Sequence, residues 1–326
     1  MKPFTIVNWL ITRHCNLKCH YCRLVNLNYP NNPYKLIAKE LPLGELKLIA
    51  DKIKQINPDA FIIVYGGEPT VYRDFRGFVK YLNEVGLDFT VISNVARMWQ
   101  QNLLRELIKE GLVRRVTTSV DPTLFDPNVE DHRKHKSKMG LEFLKSIKQE
   151  FPDTDCVAEV VVDSKNHKFL KPLLEELTKH GIYASISCIE KSLSPYYDFA
   201  EDVPDDWLVY PGSEAYNTLK EIVENHDKYL IHMPEMLKDY LNYLPMNVDC
   251  KIESMLHNAT IDADGKLRLC LRIRGLDNPD VVSIDPDNME NVLKWIREQK
   301  SRLCKGCGWT CPLMSMRSEQ EIRDHE

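Results

Sequence analysis

The chain has 326 residues, with 43 Lys plus Arg against 48 Asp plus Glu and a formal charge of −5. Hydrophobic residues make up 43% and charged residues 28%, a globular composition that excludes a disordered or collagen-like chain. The mildly acidic balance argues against a protein that grips nucleic acid chiefly through phosphates, and the length allows one large barrel or two ordinary domains.

The N-terminal stretch MKPFTIVNWLITRHC is apolar but broken by Asn8 and ended by Arg13 and His14. It is too short for a membrane span and lacks the cleavage site of a signal peptide. No other window is long enough to cross a bilayer, so a cytoplasmic location with no membrane partner is expected. Strands are expected at 5–12, 60–65, 89–94, 115–121, 156–162 and 183–189. Between them apolar residues recur at helical spacing, for example Leu46, Ile49, Ala50 and Ile53, or Phe75, Phe78, Val79 and Leu82. Gly86, Gly111 and Gly181 fall where helices should stop, each just before the next strand.

Six β/α units in succession imply a parallel sheet with right-handed crossovers. Six are too few for the usual eight-stranded closed barrel, so an open partial barrel over 1–190 is expected. From residue 191 the alternation stops. Residues 191–245 read as a bridging loop and two helices, near 214–229 and 233–244. Residues 246–326 read as a small α+β domain with a hairpin turning at Asp264–Gly265 and a helix near 288–301. Glu159 is an acid inside a strand of valines and alanine. A buried acid needs a partner, so it meets a ligand within the barrel or forms a structural ion pair.

Ten cysteines are present, in two groups with Cys156 and Cys188 apart. In a reducing compartment such groups are metal ligands more often than disulfides. Cys15, Cys19 and Cys22 form Cys-x3-Cys-x2-Cys in a loop directly after the first strand. Three thiolates can hold three irons of a [4Fe–4S] cluster and leave the fourth open for a small molecule. A structural zinc knuckle, completed by His14 or His20, is the other reading of these thiols.

With Tyr21 as the aromatic, Cys-x3-Cys-x-aromatic-Cys resembles the signature of the radical S-adenosylmethionine (SAM) superfamily. The resemblance covers the first 190 residues and implies a partial (β/α)6 barrel. It also implies a cluster whose open iron is chelated by SAM, cleaved to a 5′-deoxyadenosyl radical that takes a hydrogen atom from substrate. Gly66-Gly67-Glu68-Pro69 after the second strand is similar to the family's GGEP motif, in which Glu68 would bind the methionine amino group of SAM. Ser93 and Asn94 end the third strand. Ser119 and Asp121 lie on the fourth and share one face, so both side chains can point at one ligand. Similar residues in the family bind the polar groups of SAM. Arg133 falls where related enzymes keep an arginine for the SAM carboxylate. For Asp121, capping of the following turn is an equal alternative.

Cys250, then Gly265-x4-Cys270, resembles the opening of the family's C-terminal iron–sulfur domains, called SPASM or, in the shorter form, twitch. Cys304, Cys307 and Cys311 add three thiolates. By that analogy Cys250, Cys270, Cys304 and Cys307 hold an auxiliary [4Fe–4S] cluster with Cys311 spare, and the cluster accepts an electron or positions substrate. A tetrathiolate zinc site is the alternative. Cys188, near the barrel mouth, is a candidate hydrogen-atom donor or a small buried hydrophobe.

The implied function is hydrogen abstraction from a small molecule or a peptide, as in peptide maturases and epimerases or nucleotide-modifying enzymes. A flavodoxin or ferredoxin would supply the electron. The chain starts almost at its first strand, so a small molecule, or a peptide presented by a separate partner, is expected. The non-enzymatic alternative is an interaction module stapled by zinc at both cysteine groups.

Overall fold

Parallel strands buried on both faces require near-continuous apolar runs, and IVNWLIT supplies one as β1 (Ile6–Thr12). The computed structural model describes residues 4–17, 40–129, 132–188, 205–243, 258–268, 284 and 286–303. These fall into two units. The first holds the described residues up to 92 and from 258 onward, and the second holds 93–188 and 205–243.

In the first unit, α1 (Leu43–Ile56), β2 (Phe61–Gly66), α2 (Phe75–Glu84) and β3 (Asp88–Ser93) follow β1 in the expected alternation. Trp9 of β1 is fully buried and meets Phe78 of α2 edge-on, ring centroids 5.0 Å apart. Its strands run in the order β3-β2-β1-β7-β8, where β7 is Asn258–Ile261 and β8 is Leu267–Arg268. β2 and β7 both pair with β1 in parallel, and β8 pairs antiparallel with β7. The turn between them is closed by Gly265 N–H on the Asp262 carbonyl at 2.8 Å. Residues 258–268 therefore extend the sheet that begins with β1. The pairing of β1 with β2 slips between Leu10 and Thr12, immediately before the segment that carries Cys15. The last helix, α8, is Met289–Leu303.

The second unit continues the alternation with α3 (Met98–Lys109), β4 (Arg115–Ser119), α4 (His132–Glu150), β5 (Asp155–Val162), α5 (Leu170–Lys179) and β6 (Tyr183–Cys188). β5 lies between β4 and β6, parallel to both. Two further helices follow, α6 (Glu214–Glu224), capped by Ser213 Oγ on Tyr216 N–H, and α7 (Pro234–Tyr243). Helices α2, α3 and α5 are followed by Gly86, Gly111 and Gly181 at φ of 69°, 71° and 66°, where a Cβ would be strained. Gly140 lets α4 lie close on β4, since a Cβ there would sit 2.9 Å from the Ser119 carbonyl oxygen.

Seven parallel strands thus alternate with helices across the two units, one more than expected, because β7 joins β1. Among the described residues no helix is long and apolar enough to cross a membrane.

Candidate active site

In the first unit the site is built where β1 and β2 end. Gly67 N–H donates to the Thr12 carbonyl and Glu68 N–H to the His14 carbonyl, both at 2.8 Å, so the ladder continues past the strand ends. A Cβ on Gly66 would lie 2.6 Å from the Thr12 carbonyl oxygen, and one on Gly67 would strike the His14 carbonyl and lie 2.7 Å from that of Arg13. Real Cβ atoms are not found so close. The space beside these glycines is filled by the chain's own backbone, one residue before Cys15.

The same three residues are held from the other side. Thr12 Oγ1 donates to Glu40 Oε1, and His14 Nε2 lies 3.8 Å from that oxygen. Arg13 Nε donates to Asp262 Oδ1 at 3.0 Å and its Nη2 pairs with Asp262 Oδ2, a two-pronged ion pair between residues 249 apart in sequence. Asp262 is almost wholly buried, and Arg13 keeps 17% of its side-chain surface. Cys15 follows this clamped stem. Its Sγ accepts the Leu17 N–H at 3.4 Å and donates to Asn16 Oδ1 at 3.9 Å. Cys19, Tyr21, Cys22, Cys250, Cys270, Cys304, Cys307 and Cys311 lie outside the described residues. Among the described residues no three potential ligands converge on a metal-sized site, since two of the three loop thiols fall outside them.

Glu68 is 1% exposed. Its Oε1 accepts the Thr70 hydroxyl at 2.5 Å and the Thr70 N–H at 3.2 Å, capping the 3-10 turn Pro69–Val71. This fixes the carboxylate at the C-terminal end of β2, where β/α folds bind ligands.

In the second unit Ser93 Oγ accepts the Val95 N–H at 3.2 Å and Asn94 Oδ1 the Ala96 N–H at 3.0 Å. Val95 is buried at φ 44°, a region β-branched residues avoid, and these side chains brace it. β4 ends at Ser119, so Asp121 lies two residues beyond the strand and makes no side-chain cap to the turn that follows. Its carboxylate instead accepts Arg133 Nε at 3.4 Å and faces Lys136 Nζ at 3.8 Å. Arg133 Nη1 reaches Asp163 Oδ2 at 3.3 Å. All four side chains are buried, making a compact set of two acids and two bases.

Sequence reading singled out Asp121 and Arg133, and the structure brings them into direct contact. Asp163 and Lys136 were missed. Asp163 follows the last valine of β5 much as Asp121 follows Val120, and that parallel was the available signal. The Arg13–Asp262 pair left no local trace.

Cys188 pairs with Val162 and shares its strand face with buried Ala184 and Ile186, opposite Ser185 and Ser187. Cys156 is fully buried, and desolvation pushes its thiol up to about 12.

Glu159 lies on β5 with its pKa pushed up to about 7, first by burial and then by the Asp121 charge, against a hydrogen bond from Ser185 that lowers it. A carboxyl with a raised native pKa binds its proton more tightly in the folded state. Its stabilising contribution is complete below the unfolded value near 4.5 and is lost as pH rises through about 7. Relative to Glu159→Gln, the wild-type protein without ligands is expected to lose about 3 kcal/mol between pH 4.5 and pH 8. Urea unfolding of both proteins at the two pH values checks this, and parallel curves would contradict it.

An ordered β/α sheet, a clamped stem before Cys15 and a buried glutamate at the end of the next strand place the candidate site at strand ends. Residues 9–166 match the family model described as the Radical SAM superfamily. The chain is 30% identical over 155 residues to the AdoMet-dependent heme synthase of Oleidesulfovibrio alaskensis, covering 45% of this chain and 36% of that one. It is 33% identical over 98 residues to the S-adenosylmethionine-dependent nucleotide dehydratase of Selenomonas ruminantium, covering 30% and 32%. The PqqA peptide cyclase of Bradyrhizobium diazoefficiens is 32% identical over 104 residues, covering 31% and 25%. The matched region thus spans only about a third of these relatives' own length. The crystal structure of Streptococcus suis SuiB bound to precursor peptide SuiA superposes with a TM-score of 0.63 at 13% identity, over 97% of this chain and 71% of that one. Native anSMEcpe with AdoMet and Cp18Cys peptide gives 0.51 at 15%, over 92% and 88%. These structures share the fold. The curated relatives named above are enzymes.

Proposed function

We propose that this chain cleaves SAM reductively and takes a hydrogen atom from a carbon of a peptide. The observation that carries the reading is the joint between the GGEP segment and the stem of the cysteine loop. Two backbone hydrogen bonds and two glycines hold Glu68 against the root of Cys15. The residues fit the group. Cys15, Cys19 and Cys22 would hold a [4Fe–4S] cluster, with Tyr21 in the same loop. Glu68 would take the ammonium of SAM beside the backbone of Gly66 and Gly67. Ser93, Asn94, Ser119 and Asp121 would take its other polar groups, and Arg133, paired with Asp121, its carboxylate. When bound, cluster and SAM supply one-electron cleavage of a carbon–sulfur bond and hydrogen abstraction.

Peptide as substrate is supported by the peptide-bound structures that share the fold and by the peptide cyclase among the relatives. The heme synthase and the nucleotide dehydratase support a small molecule as the second reading. In either case Cys250, Cys270, Cys304 and Cys307, with Cys311 in reserve, would hold an auxiliary cluster in 246–326, a stretch whose residues 258–261 join the sheet through β1. The auxiliary cluster would accept an electron, and a flavodoxin or ferredoxin would reduce the first cluster.

Anaerobic reconstitution is expected to give about eight irons per chain, four for each cluster. The reduced protein is expected to form 5′-deoxyadenosine from SAM, detected by mass spectrometry, and Cys15→Ala is expected to abolish it. Cleavage that survives in Cys15→Ala removes the proposed cluster site. Stoichiometric zinc in a colourless protein would favour the metal-stapled interaction module.

A further inference from the structure

One face of the second unit's sheet departs from what a doubly covered parallel sheet should show. On β4, β5 and β6 the residues facing the helices are apolar or small, including Cys156, Ala158, Val160, Val162, Ala184 and Ile186, and they are buried. The opposite face should be equally apolar if it only packed. Instead the register places Ser119 beside Glu159 and Glu159 beside Ser185, one polar row across three adjacent strands. Ser187 follows Ser185 on the same face, two residues nearer the strand's end.

Glu159 is surrounded by protein yet keeps some accessible surface, as Ser119, Ser185 and Ser187 also do. Among the described residues no lysine, arginine or histidine forms an ion pair with it. Its one side-chain partner is the Ser185 hydroxyl, and the charge acting on it is that of another acid, Asp121. The nearby bases Arg133 and Lys136 are set against Asp121 and Asp163, two against two. Burial without a counterion makes Glu159 costly above neutral pH, as the stability prediction above expresses. A buried acid that lowers stability is retained where a ligand completes it.

We infer that Glu159 and Ser185, with Ser187 beyond them, form a substrate-binding surface beside the SAM contact proposed for Ser119, in which Glu159 takes a cationic nitrogen of the substrate, as in a lysine or arginine side chain. This rests on the peptide reading for the identity of the substrate, and on the sheet register for the site itself. The flanking hydroxyls accept the remaining N–H groups or donate to neighbouring carbonyls. A phosphate or carboxylate would meet an acid with no counterion and is rejected by the same row.

The test uses the reconstituted holoenzyme with SAM bound and n-butylammonium chloride as the probe, its binding read by saturation-transfer NMR. Binding about tenfold weaker in Glu159→Gln, and unchanged in the exposed control Asp153→Asn, is the expected result. Equal binding to wild type and Glu159→Gln, or binding to neither, overturns the inference. Weaker SAM binding in Glu159→Gln also overturns it, because the cation seated there would then be the cofactor's. Folding of the variant is not in question, since the neutral amide relieves the buried charge. A second arm measures 5′-deoxyadenosine formation with paired synthetic peptides that differ only by lysine against norleucine. Preference for lysine that vanishes in Glu159→Gln supports the inference. If no peptide changes SAM turnover while n-butylammonium still binds through Glu159, the row stands and the peptide reading falls.

Discussion

Replacing Arg133 by alanine is expected to destabilise the ligand-free protein by about 3–5 kcal/mol, read as a shift in the urea unfolding transition. The guanidinium bridges Asp121 at 3.4 Å and Asp163 at 3.3 Å, and its side chain keeps 7% of its surface. Removing it leaves two buried carboxylates, one of them with only Lys136 at 3.8 Å as a described cation. An uncompensated buried charge costs more than the pair contributed, which is why breaking one partner is worse than never having built the set. Arg133→Lys is expected to recover only part of the loss, because an ammonium is a point charge and cannot span both acids as a planar fork does. A loss under about 1 kcal/mol, the range of solvated surface pairs, would contradict the burial of this cluster. Measured without SAM, the result concerns the cluster's structural part alone and separates it from any contact Arg133 makes with the cofactor.

Gly67→Ala is expected to keep the secondary structure and weaken the cluster site. The added methyl would occupy the place of the His14 carbonyl, and neither is free to move. Gly67 and Glu68 are bonded to the carbonyls of Thr12 and His14, while Arg13 is tied to Asp262. Relief requires the 12–14 backbone to shift, and Cys15 shifts with it. A displacement of about 1 Å at a reacting group costs on the order of 100-fold in rate. SAM cleavage should therefore fall by about that factor, with iron content reduced and the far-ultraviolet circular dichroism unchanged. Wild-type iron content and turnover in Gly67→Ala would show that the stem is not rigid.

Both predictions turn on features of different visibility. The strand positions were legible because parallel strands covered on both faces need unbroken apolar runs. The expected 5–12 and 60–65 became Ile6–Thr12 and Phe61–Gly66, a residue or so away. The GGEP segment and Cys15 were legible for a related reason, since their meaning lies in neighbouring residues. The purpose of the glycines was not. The structure fills the space beside them with the backbone of residues 12–14. The strand assigned to Asp121 also ran too long, because Val120 continues an apolar pattern that the chain breaks at Ser119.

What the amino-acid order determined by itself is local: the β/α alternation, the helix stops at glycine, the thiol spacing and the turn at Asp264–Gly265. Each rests on backbone preference or side-chain period over a few residues, and such terms act before the chain closes on itself. Only the tertiary structure decided that β7 lies against β1 and that Arg13 meets Asp262. It alone set Arg133 between two acids and aligned Ser119, Glu159 and Ser185 in one row. Those contacts join residues far apart in sequence, and their energy exists only once sheet register and helix packing have brought both partners out of water together.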